Sequence, residues 1–199
     1  MTNPVNQELK QRRSIYALGK NVSQTPAQIS ETIEEAIRQS PTAFNSQTVR
    51  AVITFGENSD RVWDIVEAEL KKVTPADRFP ATQEKIASFR AGFGTILYFT
   101  ETQTVHKLEA DFPLYAANFA NWAEQGLGGA QQAVWTALAT ENIGASLQQY
   151  NPMINEKIKE AFDIPESWEL RAQMPFGSIE APAGEKEFLP DDVRFKIFE

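Results

Sequence analysis

Arg12-Arg13-Ser14 places two guanidinium groups and a hydroxyl side by side at the end of a helical segment, a donor set suited to holding a phosphate. A short basic motif of this kind is more often a solvated patch. Ser40-Pro41-Thr42-Ala43-Phe44-Asn45-Ser46-Gln47 offers hydroxyls and two carboxamides in one polar stretch. Ordinary capping and turn chemistry accounts for it equally well. The aromatic run Phe112, Tyr115, Phe119 and Trp122 suits core packing, and a planar cofactor would also fit it. His106 is the single histidine and lies in a polar stretch, so a triad or an imidazole metal site has little to build on. With no cysteine there is no disulfide, no thiolate nucleophile and no cysteine-ligated metal or cluster. Gly126-Leu127-Gly128-Gly129 sits inside a helical pattern without a preceding strand, which is not the dinucleotide fingerprint. An enzyme with this inventory needs a bound organic cofactor to carry the chemistry, and no metal is expected.

The elements that must position these groups are legible from spacing. Leu127, Ala130, Val134 and Leu138 form one apolar helical stripe, and Gly129, Ala133 and Ala137 a second stripe of small residues where another backbone can approach. Only Thr136 is polar between Ala133 and Ala139, so this helix is expected to be buried, in a core or at a subunit interface. Asn142-Ile143-Gly144 is its stop, and Ala145 to Tyr150 reads as a short strand. Val5 to Arg13 is expected to be helical. Thr25-Pro26-Ala27-Gln28 is a helix start with a capping box, followed by Ile29, Ile33 and Ile37 on the buried face and stopped at Ser40-Pro41. Val49 to Phe55 is a strand. A helix capped by Asn58 or Ser59 carries Val62, Trp63, Val66, Leu70 and Val73, and another starting at Thr82 carries Ile86 and Phe89. Thr95 to Phe99 and Trp168 to Phe176 are further strands, separated by the long helical region and a short helix over Ile154, Ile158 and Phe162. Val193 to Phe198 alternates apolar and charged residues without a nearby hairpin partner, so it is expected to pair with a sheet edge, its own or a partner's. Strands alternating with helices predict an α+β protein with α/β-type layers on one mixed sheet.

The 199 residues suit a single domain. A net charge of −8 argues against general binding to nucleic acid or anionic membrane. No apolar run is long enough to span a bilayer, and Met1 to Lys10 lacks the apolar centre of a secretory signal, so a cytoplasmic location is expected.

Taken together and in order, RRS, SPTAFNSQ, NIGASLQQYNP and LRAQMPFG resemble the nitroreductase family of FMN-dependent oxidoreductases. The segments FPLYAANFANWAEQ, AVWTALA and GEKEFLP are similar to the subgroup containing the yeast fatty-acid-repression-mutant protein and related bacterial nitroreductases. The resemblance runs from Leu9 to Phe198 and implies one FMN-binding domain over residues 1–199. It implies a mixed central sheet flanked by helices, an obligate homodimer with FMN at its interface, and a C-terminal arm exchanged between subunits. Arg12 and Ser14 match the family's phosphate-binding motif, with Arg13 a candidate by adjacency, and Lys186 matches a lysine that reaches the FMN phosphate. Ser40, Pro41 and Thr42 match the segment that approaches the flavin from the other subunit, and Asn45 and Gln47 match carboxamides that contact the ring or brace the turn. Leu147 and Gln148 match the strand end whose backbone lies against the reactive ring edge, where an N–H can bond N5. Phe44, Phe112 and Tyr115 are candidates for the substrate pocket. Two departures stand out: Phe188 occupies a position that is often basic, where Arg13 is a possible compensating charge, and Thr48-Val49 replaces a common Pro-Trp.

The activity so implied is transfer of electrons from NADH or NADPH, through FMN, to a small-molecule acceptor such as a nitroaromatic or quinone. Donor and acceptor use one pocket in turn, a ping-pong mechanism with no side chain required as acid or base. The alternative is a flavin-binding regulatory or stress-response protein in which turnover is incidental.

Overall fold

Capped helices and β-branched or aromatic runs alternate along residues 3–199, which the computed structural model describes. The order is α1 (Pro4–Gln11), β1 (Leu18–Gly19), α2 (Pro26–Arg38), β2 (Val49–Phe55), α3 (Glu57–Val73), α4 (Phe79–Arg90), β3 (Gly94–Glu101) and α5 (Thr102–Asp111). It continues with α6 (Ala116–Thr140), β4 (Gly144–Ala145), α7 (Asn155–Phe162), β5 (Trp168–Ile179) and α8 (Asp191–Arg194). Single 3₁₀ turns lie at Ala43–Asn45 and Pro113–Tyr115.

The sheet runs β1-β5-β3-β2, with β4 also paired to β5. Every ladder is antiparallel; among the described residues the parallel pairing is the bridge from Ser14 to Ala145. β3 is buried along its whole length because it has a strand on each edge and a helical layer on each face. Ile96 and Tyr98 join Ile29 and Ile33 of α2 and Leu127, Val134 and Leu138 of α6 in one core. Leu97 and Phe99 point the other way, into Trp63 and Val66 of α3, Phe89 of α4 and Ile158 of α7. The expected α+β layering, helices on both faces of one sheet, is what forms.

The capping box at Thr25 and Gln28 is present in both directions. Asn142 terminates the α6 region at φ +60°, the left-handed conformation that asparagine tolerates. Some boundaries differ from expectation. α3 begins at Glu57 after Gly56, because Ser59 is buried and hydrogen-bonds the Thr95 hydroxyl at 2.8 Å instead of capping. α4 begins at Phe79, with Pro80 in its first turn. The expected strand from Ala145 to Tyr150 is shorter: β4 covers Gly144–Ala145, and pairing resumes only at the Gln148–Gln173 bridge. Of the expected strand Val193 to Phe198, the first two residues close α8, whose start is favoured by Asp191 and Asp192 in its first turn, and the remainder is in neither helix nor strand. From Glu187 onward the arm is exposed and joins no ladder among the described residues.

Candidate functional site

The segment after α1 is fixed at both ends. Gln11 Nε2 donates to the Ala139 carbonyl of α6 at 2.9 Å, and Ile15 N–H donates to the Ala145 carbonyl at 2.9 Å. Arg12, Arg13 and Ser14 lie between these anchors. They line a cleft of about 530 Å³ whose other wall is the loop Ala181 to Lys186. Lys186 is therefore brought to the consecutive residues Arg12, Arg13 and Ser14, which lie far from it in the chain.

The two arginines diverge. Arg13 donates to the Gly184 carbonyl at 2.7 Å and so braces the loop that carries Lys186. The Arg12 guanidinium lies over the Trp135 ring of α6, 4.3 Å from its centroid. Lys186 Nζ lies 5.0 Å from the centroid of Phe188, so the residue at the often-basic position supports the lysine with its ring face. Among the described residues none of these three cations forms an ion pair. Partial burial, and then the neighbouring Arg13 charge, hold the Arg12 pKa below its ordinary value, while an arginine stays protonated at any physiological pH. Three cations and one carboxylate, Glu185, line the cleft, which is therefore net positive on a chain of net charge −8.

The bridge between Ser14 and Ala145 leads from this cleft to Leu147 and Gln148. Gln148 N–H is taken: it donates to the Gln173 carbonyl at 2.7 Å, and Gln173 N–H returns a bond of 2.8 Å. Buried Gln173 also accepts from Tyr150 N–H through Oε1 at 2.9 Å, clamping the segment. In an extended chain alternate residues present their backbone groups to opposite edges. Leu147 therefore shares the orientation of Ala145, toward the Arg12–Ile15 segment and away from β5. Of the two expected residues, it is Leu147 that has an N–H to offer a ligand.

The Ser40–Gln47 turn lies elsewhere on α6. Ser40 Oγ donates back to the Ala36 carbonyl at 2.7 Å, and Thr42 Oγ1 accepts from Gln47 N–H at 2.9 Å. Phe44, Asn45 and Gln47 all have positive φ (57°, 48° and 48°), a strained run for residues with side chains. Arg50 Nη1 braces it by donating to the Gln47 carbonyl at 2.6 Å. Asn45 and Gln47 are exposed, with Gln47 Nε2 donating to the Asn45 carbonyl at 3.5 Å. Gly126 of α6 allows the turn to approach, since a Cβ there would meet Thr42 Cγ2 at 3.1 Å. The Phe44 ring contacts Phe112 (5.0 Å between centroids), Phe119 (5.3 Å) and Tyr115 (6.2 Å) and lies nearly parallel to Trp122. Pro41 to Phe44, Trp122 and Gly126 line a second hollow of about 560 Å³.

Trp135 and Gly126 are nine residues apart, about 14 Å along a helix rising 1.5 Å per residue. One chain thus carries two half-sites: a cationic cleft with the Leu147 N–H at one end of α6, and a strained, aromatic-lined turn toward the other. Trp135, Arg50 and Gln173 are supporting residues that the sequence reading did not single out. His106 lies exposed on α5 and lines neither hollow. Among the described residues no group of histidines and acidic side chains is arranged to hold a metal, and no helix is long and apolar enough to cross a membrane.

Comparison with known proteins gives a consistent result. A model described as "Nitroreductase family" matches residues 9–178. The Saccharomyces cerevisiae protein HBN1 is 42% identical over 188 residues, covering 93% of each chain. Nitroreductase FRM2 of the same yeast is 32% identical over 180 residues, covering 89% of each. Among solved structures, nitroreductase CinD from Lactococcus lactis in complex with chloramphenicol superposes with a TM-score of 0.90 at 48% identity, over 98% of this chain and all of that one.

Proposed function

From the premise that this chain belongs to the nitroreductase family of oxidoreductases, we propose that it is a cytoplasmic, FMN-dependent enzyme that uses NADH or NADPH to reduce nitroaromatic or quinone-type acceptors. The observation that carries the reading is that Arg12, Arg13 and Lys186 line one cleft of an acidic chain, outnumber its single carboxylate, Glu185, and form no ion pair among the described residues. A phosphate dianion is the ligand such a cleft suits, and the Leu147 N–H nearby suits a ring nitrogen acceptor. The residues present therefore fit FMN. The same fold, in a Desulfovibrio desulfuricans protein 18% identical to this chain, was solved in complex with FMN. CinD, 49% identical, was solved in complex with 4-nitrophenol, which supports the acceptor class.

When bound, FMN supplies the redox chemistry, taking hydride from the reduced nicotinamide and returning two electrons to the acceptor. The chain's own residues bind and orient. Arg12, Arg13, Ser14 and Lys186 hold the phosphate, and the Leu147 N–H donates to the ring edge, where a fixed donor stabilises developing negative charge. Gln148 acts through its two backbone bonds to Gln173, which hold Leu147 in place.

The second half-site comes from another copy. Gly128 and Gly129 leave α6 open on its solvent side, with no atom within 4 Å of a Cβ built on either, so a partner's backbone can pack closely. In the proposed homodimer, Ser40, Pro41, Thr42, Asn45 and Gln47 of one subunit complete the ring site of its partner. Phe44, Phe112 and Tyr115 border the pocket that donor and acceptor occupy in turn. The C-terminal arm reaches onto the partner's sheet, where β2 pairs only with β3 among the described residues and so offers an edge.

Initial rates with donor and acceptor varied together test this reading. A single shared pocket predicts parallel double-reciprocal lines. Intersecting lines contradict the ping-pong scheme, and tight flavin binding with negligible turnover moves the assignment to a regulatory flavoprotein.

A further inference from the structure

We infer that Trp135 is a positioning residue for the phosphate site: its indole face is the shelf that holds the Arg12 guanidinium in place without neutralising it. The inference rests on the reading that the FMN phosphate binds at Arg12. Arginines at anion sites are often oriented by a carboxylate, which also cancels part of their charge and occupies their N–H groups. Here Arg12 has no such partner among the described residues. It lies instead 4.3 Å from the Trp135 centroid, a cation–π contact that strengthens as the cation is withdrawn from water. Arg12 is partly withdrawn, and burial is the main cause of its lowered pKa.

The shelf is itself fixed. Trp135 packs against the core formed by α2, α6 and the sheet. Ala139, four residues on and therefore on the same face of α6, accepts from Gln11, the residue before Arg12. The indole Nε1 is buried and has no hydrogen-bond partner among the described residues. Trp135 is thus not held by its N–H, and its ring face is what it offers. A neutral aromatic leaves the five guanidinium N–H groups and the full charge available to phosphate.

The test is the affinity of the full-length protein, freed of bound flavin, for FMN and for riboflavin, which lacks the phosphate. In wild type FMN binds more tightly than riboflavin. Trp135→Leu is expected to reduce the FMN-to-riboflavin affinity ratio about tenfold with riboflavin affinity unchanged. Trp135→Phe, which keeps a π face, retains the ratio within about threefold. In an Arg12→Gln background Trp135→Leu has no further effect, because the two act as one unit. Should Trp135→Leu fail to fold, Trp135→Met fills the volume without a π face and carries the same expectation. An unchanged ratio, or equal losses for both flavins, overturns the inference and leaves the phosphate site standing. Equal affinity of the wild type for both flavins overturns the phosphate site and the inference with it.

Discussion

Arg12 presents a rigid fork of donors, and Lys186 a mobile point charge, to the same cleft. Removing the fork removes charged hydrogen bonds of about 1.5–3 kcal/mol. Arg12→Gln should therefore weaken FMN binding by about ten- to a hundredfold in a fluorescence titration, and Arg12→Lys by less, since it keeps the charge. At the other end of the half-site, Leu147→Pro deletes an N–H that Leu147→Ala keeps. Anaerobic stopped-flow reduction by NAD(P)H should slow about tenfold or more in the proline variant and stay within about threefold in the alanine variant. Equal rates in the two variants would remove Leu147 N–H from the mechanism. Residue chemistry alone left Arg12-Arg13-Ser14 as a possible surface patch. Lys186 entered only by resemblance, because nothing local connects a loop lysine to an arginine more than 170 positions earlier. Trp135 went unread for a similar reason: a stacked cation is a tertiary event, while the sequence around Trp135 looks like any buried helix.

At the scale of elements, the strained turn and the helix caps carry most of the positioning. Glu101 closes β3 and caps α5 by accepting from Gln103 N–H at 3.1 Å and Thr104 N–H at 2.6 Å. Burial alone would raise its pKa, but the hydrogen bonds from Thr104, Ser167 and Gln103 outweigh that and hold it below the ordinary glutamate value of 4.5. A carboxyl depressed in the folded state stabilises the fold above its unfolded pKa, and this contribution is lost as pH falls from there through the folded value. Chemical unfolding midpoints should decline below pH 4.5, and Glu101→Gln should be less stable at pH 7 with a flatter acid limb. An acid limb identical in the variant would assign the loss to other carboxylates. α2 with its cap, β2, and the termination of α6 at Asn142 were legible because their signals are local. β4 was not, because whether Leu147 to Tyr150 continues a ladder depends on how β5 passes, which no local pattern records. The C-terminal alternation from Val193 to Phe198 was read as a strand, yet Pro190-Asp191-Asp192 is a local helix start that carries the chain through Arg194, and residues 195–199 join no ladder within the single subunit.

For the whole molecule, the layers followed from the order of strands and helices, and the two-sided burial of β3 followed from its nearly unbroken apolar and aromatic run. The division of the site between two ends of α6 was not visible from composition or spacing. It is a consequence of α1 and the Ser40–Gln47 turn docking on different turns of one long helix. In the proposed homodimer, that division makes assembly a condition of function. Gly129→Leu puts a bulky side chain on the open side of α6, so sedimentation should show a shift toward monomer with parallel loss of bound flavin. A variant that is dimeric and fully loaded with flavin would place the interface elsewhere. The most direct test of the account is the visible absorption spectrum of the full-length protein as purified, then under anaerobic NADPH and NADH, then after a nitroaromatic is added. The account predicts an oxidised-flavin spectrum that bleaches with at least one donor and returns with the acceptor. A colourless protein that takes up no added FMN, or bound flavin that neither donor reduces, would contradict it.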